Sequence, residues 1–301
     1  MHYRQTLLKL YIMFKQISLS LAAIALLASC SVKEDRIQCI APVTVRVGGF
    51  SVSQEPFSKA VQSVEDATAI KAITLAFYSG STEAYKAVQL RDDPTTYSTF
   101  GNFSLRLPHG SYTMVVIAEG SATAVELSSP TEAELTDERI RDVFTTTQSV
   151  SVSGIDPIDI SATLQRIVAL VGVTSTDPRP AEAVKLRMTF SEGSMRFNPT
   201  SGLAIDLEED YQNTIVISEA IGAVAKPASL LLLRADEVTL DITLETLDAN
   251  DNVLYTTTLT NVPVKRGTVT ALRGNLFSLT GSGSFQLDTA WPEAPYASRN
   301  F

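Results

Sequence analysis

Val238-Thr239-Leu240-Asp241-Ile242-Thr243-Leu244 alternates apolar and polar residues without interruption. A period of two marks a half-buried strand, one face in a core and the other in water. Asp248-Ala249-Asn250-Asp251-Asn252 follows, a run that tolerates turn geometry. Residues 253–259 then return, so the stretch predicts a β-hairpin.

The same signal recurs along the chain. Val43-Thr44-Val45-Arg46-Val47 and Phe103-Ser104-Leu105-Arg106-Leu107 alternate well. Ile73-Thr74-Leu75-Ala76-Phe77-Tyr78 does so less cleanly, and with residues 85–90 it predicts a hairpin. Pro108-His109-Gly110 turns the chain into an apolar strand at 112–118. Residues 150–152, 158–160, 167–173, 184–190, 194–197, 213–217, 269–272 and 285–289 are further strands. Residues 131–144 read differently. Thr131 can cap a helix, Glu132 and Glu134 suit its first turn, and Leu135, Ile140 and Val143 give a partial apolar face, so a short helix is expected.

Strands at turn-bounded intervals favour β-sandwiches. A second unit opens near Gln165, giving expected domains at 41–162 and 163–301. The halves echo each other. A hairpin at 73–90, a strand, a Pro turn closing on Gly and an apolar strand are echoed by the hairpin at 238–259, Pro263 to Gly267 and 269–272.

The N-terminus carries Arg4, Lys9 and Lys15, then an apolar run at 17–28 and Leu27-Ala28-Ser29-Cys30. This reads as a secretory leader at 1–29. The run is shorter than the roughly 20 residues of a membrane span. The exit matches the bacterial lipobox, with Cys30 acylated, by palmitate for instance, after cleavage. Residues 30–40 form a polar lipidated tether, in which Cys39 is a free thiol or an intermolecular bridge. Removing the leader leaves 272 residues. Three of the 24 basic and none of the 33 acidic residues go with it, so the mature charge is about −12. That charge argues against nucleic acid and anionic lipid as partners.

Catalytic chemistry finds no foothold. His109, alone in the mature chain, sits in a tight turn, a poor place to orient an imidazole between two partners. Cys39 lies in the tether. There is no phosphate loop, nucleophile elbow or Cys/His pair at metal spacing. Asp248 to Asn252 opens like a calcium loop, but Val253 stands where Gly is needed and Leu259 where Glu is needed. The expectation is no enzyme, no cofactor and no metal. Glycan binding is an alternative, but the lone Trp291 adjoins Pro292 and most Tyr and Phe fall in strand patterns.

Several segments carry a resemblance. Cys30 is followed by Lys33-Glu34-Asp35 and Cys39, then by Leu75-Ala76-Phe77-Tyr78. Residues 103–112, Leu164-Gln165-Arg166-Ile167-Val168-Ala169 and Leu272-Arg273-Gly274-Asn275-Leu276-Phe277 follow in order. Together they resemble the fimbrillin-like lipoproteins of the Bacteroidales, especially the fimbrial anchor and accessory-subunit family. The resemblance implies two transthyretin-like antiparallel β-sandwich domains, with Arg166 near the start of the second. It implies a lipoprotein exposed on the outer-membrane surface and incorporated in fimbriae. Implied partners are other fimbrial subunits, the outer membrane through the lipid, and a host or bacterial surface ligand. Polymerising shaft members of that family are trimmed after an Arg, which removes the first strand, and a neighbour's C-terminal strand fills the groove. Arg36 and Arg46 are the candidate trimming sites. Residues 283–291, with Phe285 and Leu287 facing one way, are the candidate donor strand.

Overall fold

Strands make up most of what the computed structural model describes, which is residues 40–51, 64, 67–278 and 285–287. The leader, Cys30, the tether through Cys39, Arg36 and Trp291 lie outside the described residues. The first half holds β1 (Ile40–Ser51), β2 (Ala72–Ser79), β3 (Thr82–Leu90), β4 (Asn102–Pro108) and β5 (Gly110–Glu119). It continues with β6 (Glu126–Ser129), β7 (Glu132–Glu134), β8 (Val143–Val152) and β9 (Ile158–Arg166). The second half opens with β10 (Val168–Ser175), β11 (Lys185–Gly193), β12 (Arg196–Asn198), β13 (Leu203–Ile205) and β14 (Glu208–Val216). It closes with β15 (Ala228–Leu232), β16 (Glu237–Leu247), β17 (Val253–Lys265), β18 (Val269–Gly274) and β19 (Gln286–Leu287).

The first seven-stranded sheet runs β3-β2-β5-β8-β9-β1-β4. Alternate residues of its strands meet in one core, among them Val43, Val45, Leu75, Phe77, Leu105, Met114 and Leu164. One sheet can enclose a core only by folding over. It does so where β8 and β9 pair through just Phe144↔Arg166 and Thr145↔Gln165. The result is a sandwich of β3-β2-β5-β8 against β9-β1-β4. The second half repeats the plan in separate sheets, β14-β11-β16-β17 and β15-β10-β18-β19. β10 pairs antiparallel with β15 and parallel with β18, as β1 does with β4 and β9. β11 lies between β14 and β16, as β2 does between β3 and β5.

Three expectations need correction. The repeat is aligned differently from the sequence echo: the hairpin β16–β17 corresponds to β5–β8, not to β2–β3. The sheets are not purely antiparallel, because the first strand of each plan runs parallel to its last. Residues 131–144 form no helix. They hold β7, an irregular stretch and the start of β8, and the described residues contain no α-helix, only a 3-10 turn at Pro94–Thr96. The reason is a local period of two. Leu127, Ala133 and Leu135 are buried while Glu126, Thr131 and Glu134 face water.

β6 and β7 also extend a small sheet across the halves, ordered β13-β12-β7-β6. Glu134 pairs with Arg196 and Ala133 with Phe197. Arg196 is ion-paired with Glu132, Glu134 and Asp206. Behind this sheet the outer face of β2 and β5, through Ala76, Tyr78, Val115 and Ile117, joins the core of the second half. β2 is therefore buried on both faces, which explains its imperfect alternation.

Candidate functional site

The sequence places its candidate exchange residues on two strands, and the structure gives them very different surroundings. β1 sits inside its layer. Ala41, Val43, Val45 and Val47 point into the first core, all nearly inaccessible. β4 pairs with it antiparallel from Ile40↔Pro108 to Arg46↔Asn102, and β9 pairs with it parallel from Val43↔Ile158. The register shifts between Val47 and Gly49. There a Cβ on Gly48 would lie 2.9 Å from the Ser161 Oγ. Phe50 then packs on Phe144 with ring centroids 4.9 Å apart.

The mouth of the slot is latched by Gln89. Its Nε2 donates to the Asn102 carbonyl (2.7 Å) and its Oε1 accepts from the Gly101 N–H (2.7 Å). Gly101, at φ +88°, in turn accepts from the Val47 N–H (2.9 Å). A side chain there would be strained and would press on Val64. Without β1, the edges of β4 and β9 would stand open above a bare apolar floor.

Arg46 faces outward from β1, exposed, opposite Asn102 and Ser161. Its backbone is paired on both sides. Proteases take extended, unpaired chain, so cleavage at Arg46 requires β1 to leave the sheet first.

β19 is held at the rim of the second half. It pairs antiparallel with β18 through Leu272↔Leu287 and Arg273↔Gln286. The Phe285 ring, partly buried, lies on Gly274, where a Cβ would come within 2.7 Å of its Cγ. β18 itself ends firmly. The Asp177 carboxylate accepts the N–H groups of Leu276 and Phe277, both at 2.8 Å, and the Gly274 carbonyl accepts from Thr176 N–H (2.9 Å).

His109 is exposed in the β4–β5 turn, which is braced by the Tyr112 hydroxyl donating to the Pro108 carbonyl (2.8 Å). The Asp248 carboxylate is used within its own turn. It accepts from the Asn252 side chain (2.9 Å) and from the N–H groups of Asn252 (2.9 Å) and Asn250 (2.8 Å). These bonds, the Asn252 side chain first, hold its carboxyl below the usual range. The stretch is a hairpin turn with Lys185 bound to Asp251 (2.6 Å).

Sequence reasoning missed the buried acids. Glu119 ends β5 only 2% exposed. It accepts the Val125 N–H (2.5 Å), and burial, reinforced by nearby Asp137, pushes its carboxyl up to about 8. Asp142 binds Arg166 (2.6 Å) at the β8–β9 corner, and burial pushes its carboxyl up against the opposing pull of that guanidinium. The signal for Glu119 was a lone acid closing an apolar run. Nothing in the sequence announced the partners.

No curated protein matches the sequence. Among solved structures, the chain is similar to the fimbrial anchor protein Mfa2 from Porphyromonas gingivalis at 12% identity and TM-score 0.48, covering 83% of this chain and 95% of that one. It is similar to a candidate adhesin from Bacteroides ovatus at 10% identity and TM-score 0.48, covering 77% and 87%. A candidate polysaccharide-binding protein from Bacteroides thetaiotaomicron gives 12% identity and TM-score 0.48 over 81% and 94%. A family profile matches residues 49–297, and the chain belongs to that family, the family of unknown function DUF6562.

Proposed function

We propose that this protein is a surface-exposed outer-membrane lipoprotein that serves as an anchor or accessory subunit of a fimbrium, joined to its neighbours by exchange of β-strands. The observation that carries the reading is β19. It is a short strand, held among the described residues by two residue pairs on β18, with only Phe285 resting on the second core. A strand so lightly held can leave while the sandwich stays closed. Phe285 and Leu287 would then enter a partner's groove. The β1 slot, apolar below and flanked by two strands, is the matching acceptor.

In this reading residues 41–162 and 163–301 are two domains, Cys30 carries the lipid, and residues 30–40 span from the bilayer. Lipid chains contribute about 0.8 kcal/mol per buried CH₂, enough for several chains to hold the protein on the surface. Fimbrial subunits are its partners, and it performs no catalysis.

Deleting the gene and imaging the cells tests the role: fimbriae should change in number, length or attachment, and unchanged fimbriae would refute it. Mass spectrometry of the finished assembly separates two forms of the same idea. An acylated Cys30 identifies an anchor, and a chain starting just after Arg36 or Arg46 identifies a polymerising shaft subunit.

A further inference from the structure

β14 and β15 are edge strands of the second half's two sheets and lie side by side. Together with residues 137–141, before β8, they line an open cleft of ≈ 730 Å³. Small-molecule sites commonly enclose about 300–1,000 Å³. Its floor is closed by Asn213 Nδ2 donating to Ser229 Oγ (2.8 Å), both buried. Its cover is fixed in shape. Ile140 is buried, and the Asp137 carboxylate accepts from Ser121 Oγ (3.1 Å), Glu138 N–H (2.8 Å) and Arg141 Nε (3.1 Å).

The charges in this cleft are unequally satisfied. Arg141 is neutralised by Asp137. Arg139 lines the same space and has no hydrogen bond or ion pair among the described residues. The side chain is exposed; some desolvation and the neighbouring Arg141 work against its charge, and Asp137 supports it. An anionic group would relieve the first two, since a guanidinium binds a carboxylate as a fork. Around it stand Glu138 and Glu219, whose carboxylates only accept, and the hydroxyls of Thr214 and Ser218, which do both. A ligand that fits carries one acid for Arg139 and several hydroxyls for the rest.

We propose that this cleft binds an acidic saccharide, with Arg139 receiving its carboxylate and Glu138 accepting from its hydroxyls. This assignment stands apart from the fimbrial reading and survives if that reading fails.

The test is calorimetric titration of the whole mature chain with trigalacturonate, sialyllactose and a hyaluronan tetrasaccharide, with galactotriose and an acidic nonapeptide as controls. At least one acidic sugar should bind, and galactotriose should bind at least tenfold more weakly. Arg139→Gln should lose about tenfold or more, and Glu138→Gln several-fold, with melting temperatures unchanged because neither side chain supports the fold. Binding of none of the acidic sugars would overturn the proposal. So would equal binding of galactotriose, tighter binding of the peptide, or an Arg139→Gln chain that binds like the parent.

Discussion

β1 and β10 hold the same place in the two halves, yet they are embedded differently. Each pairs antiparallel with one neighbour and parallel with the other. β10 is buried on both faces along its whole length. β1 alternates, with Pro42, Arg46 and Gly48 in water. β10 is therefore a spine, with the second core on one side and covering chain on the other. β1 is a one-sided insert at the beginning of its plan. Withdrawing β1 opens one groove, whereas withdrawing β10 dismantles a half. The repeated plan makes two equivalent slots, and burial embeds their occupants to different depths.

The sharpest way to break this contrast is a charge on each strand. Leu170→Asp in β10 buries an unpaired carboxylate and should abolish cooperative folding, a loss of about 4 kcal/mol or more in urea titrations. Arg46→Asp on the outer face of β1 should stay within about 0.5 kcal/mol of the parent. Equal effects would erase the difference between the strands.

Glu119 gives the next effect. Its folded carboxyl titrates near 8 against an ordinary 4.5, so the folded chain holds a proton that the unfolded chain has released. The stability this adds is complete below about 4.5 and is lost as pH rises through about 8. Denaturation at pH 6 and pH 9 should show falling stability, and Glu119→Gln should flatten the slope.

Arg196→Ala comes third. It leaves Glu132, Glu134 and Asp206 facing one another across the small shared sheet. These groups are partly exposed, so the loss should be only about 1 kcal/mol. The more telling readout is calorimetry, where one unfolding transition should begin to split in two as the halves uncouple. A single unchanged transition would show that the sheet does not couple them.

Gly274→Val should have the smallest global effect and a clear local one. The new side chain displaces the Phe285 ring, and β19 should lose its hydrogen-exchange protection while the melting temperature moves by only a few degrees.

How much of this was legible in the sequence follows from the kind of burial. Strands buried on one face, such as β4 and β16, advertise themselves by alternation, and their residues were read correctly. β7 reads as helix in the sequence because its period of two covers only a few residues beside a plausible cap, and what decides for strand, the pairing of Glu134 with Arg196, lies 62 residues away. β15 was missed because Ser229 to Leu232 is buried throughout and offers no pattern. The echo between halves was visible but misaligned, since turn chemistry repeats in any hairpin while pairing order does not. The cleft was invisible in the sequence because its walls come from three separate segments.

Hydrogen exchange on the protein, followed by mass spectrometry, asks most directly whether β19 is an attachment rather than part of a core. Amides of β10 should exchange slowest, those of β1 somewhat faster, and those of residues 285–287 faster still, through an opening that leaves both sandwiches closed. If residues 285–287 exchanged only as slowly as β10, that strand would be integral to the fold and unable to serve a neighbour.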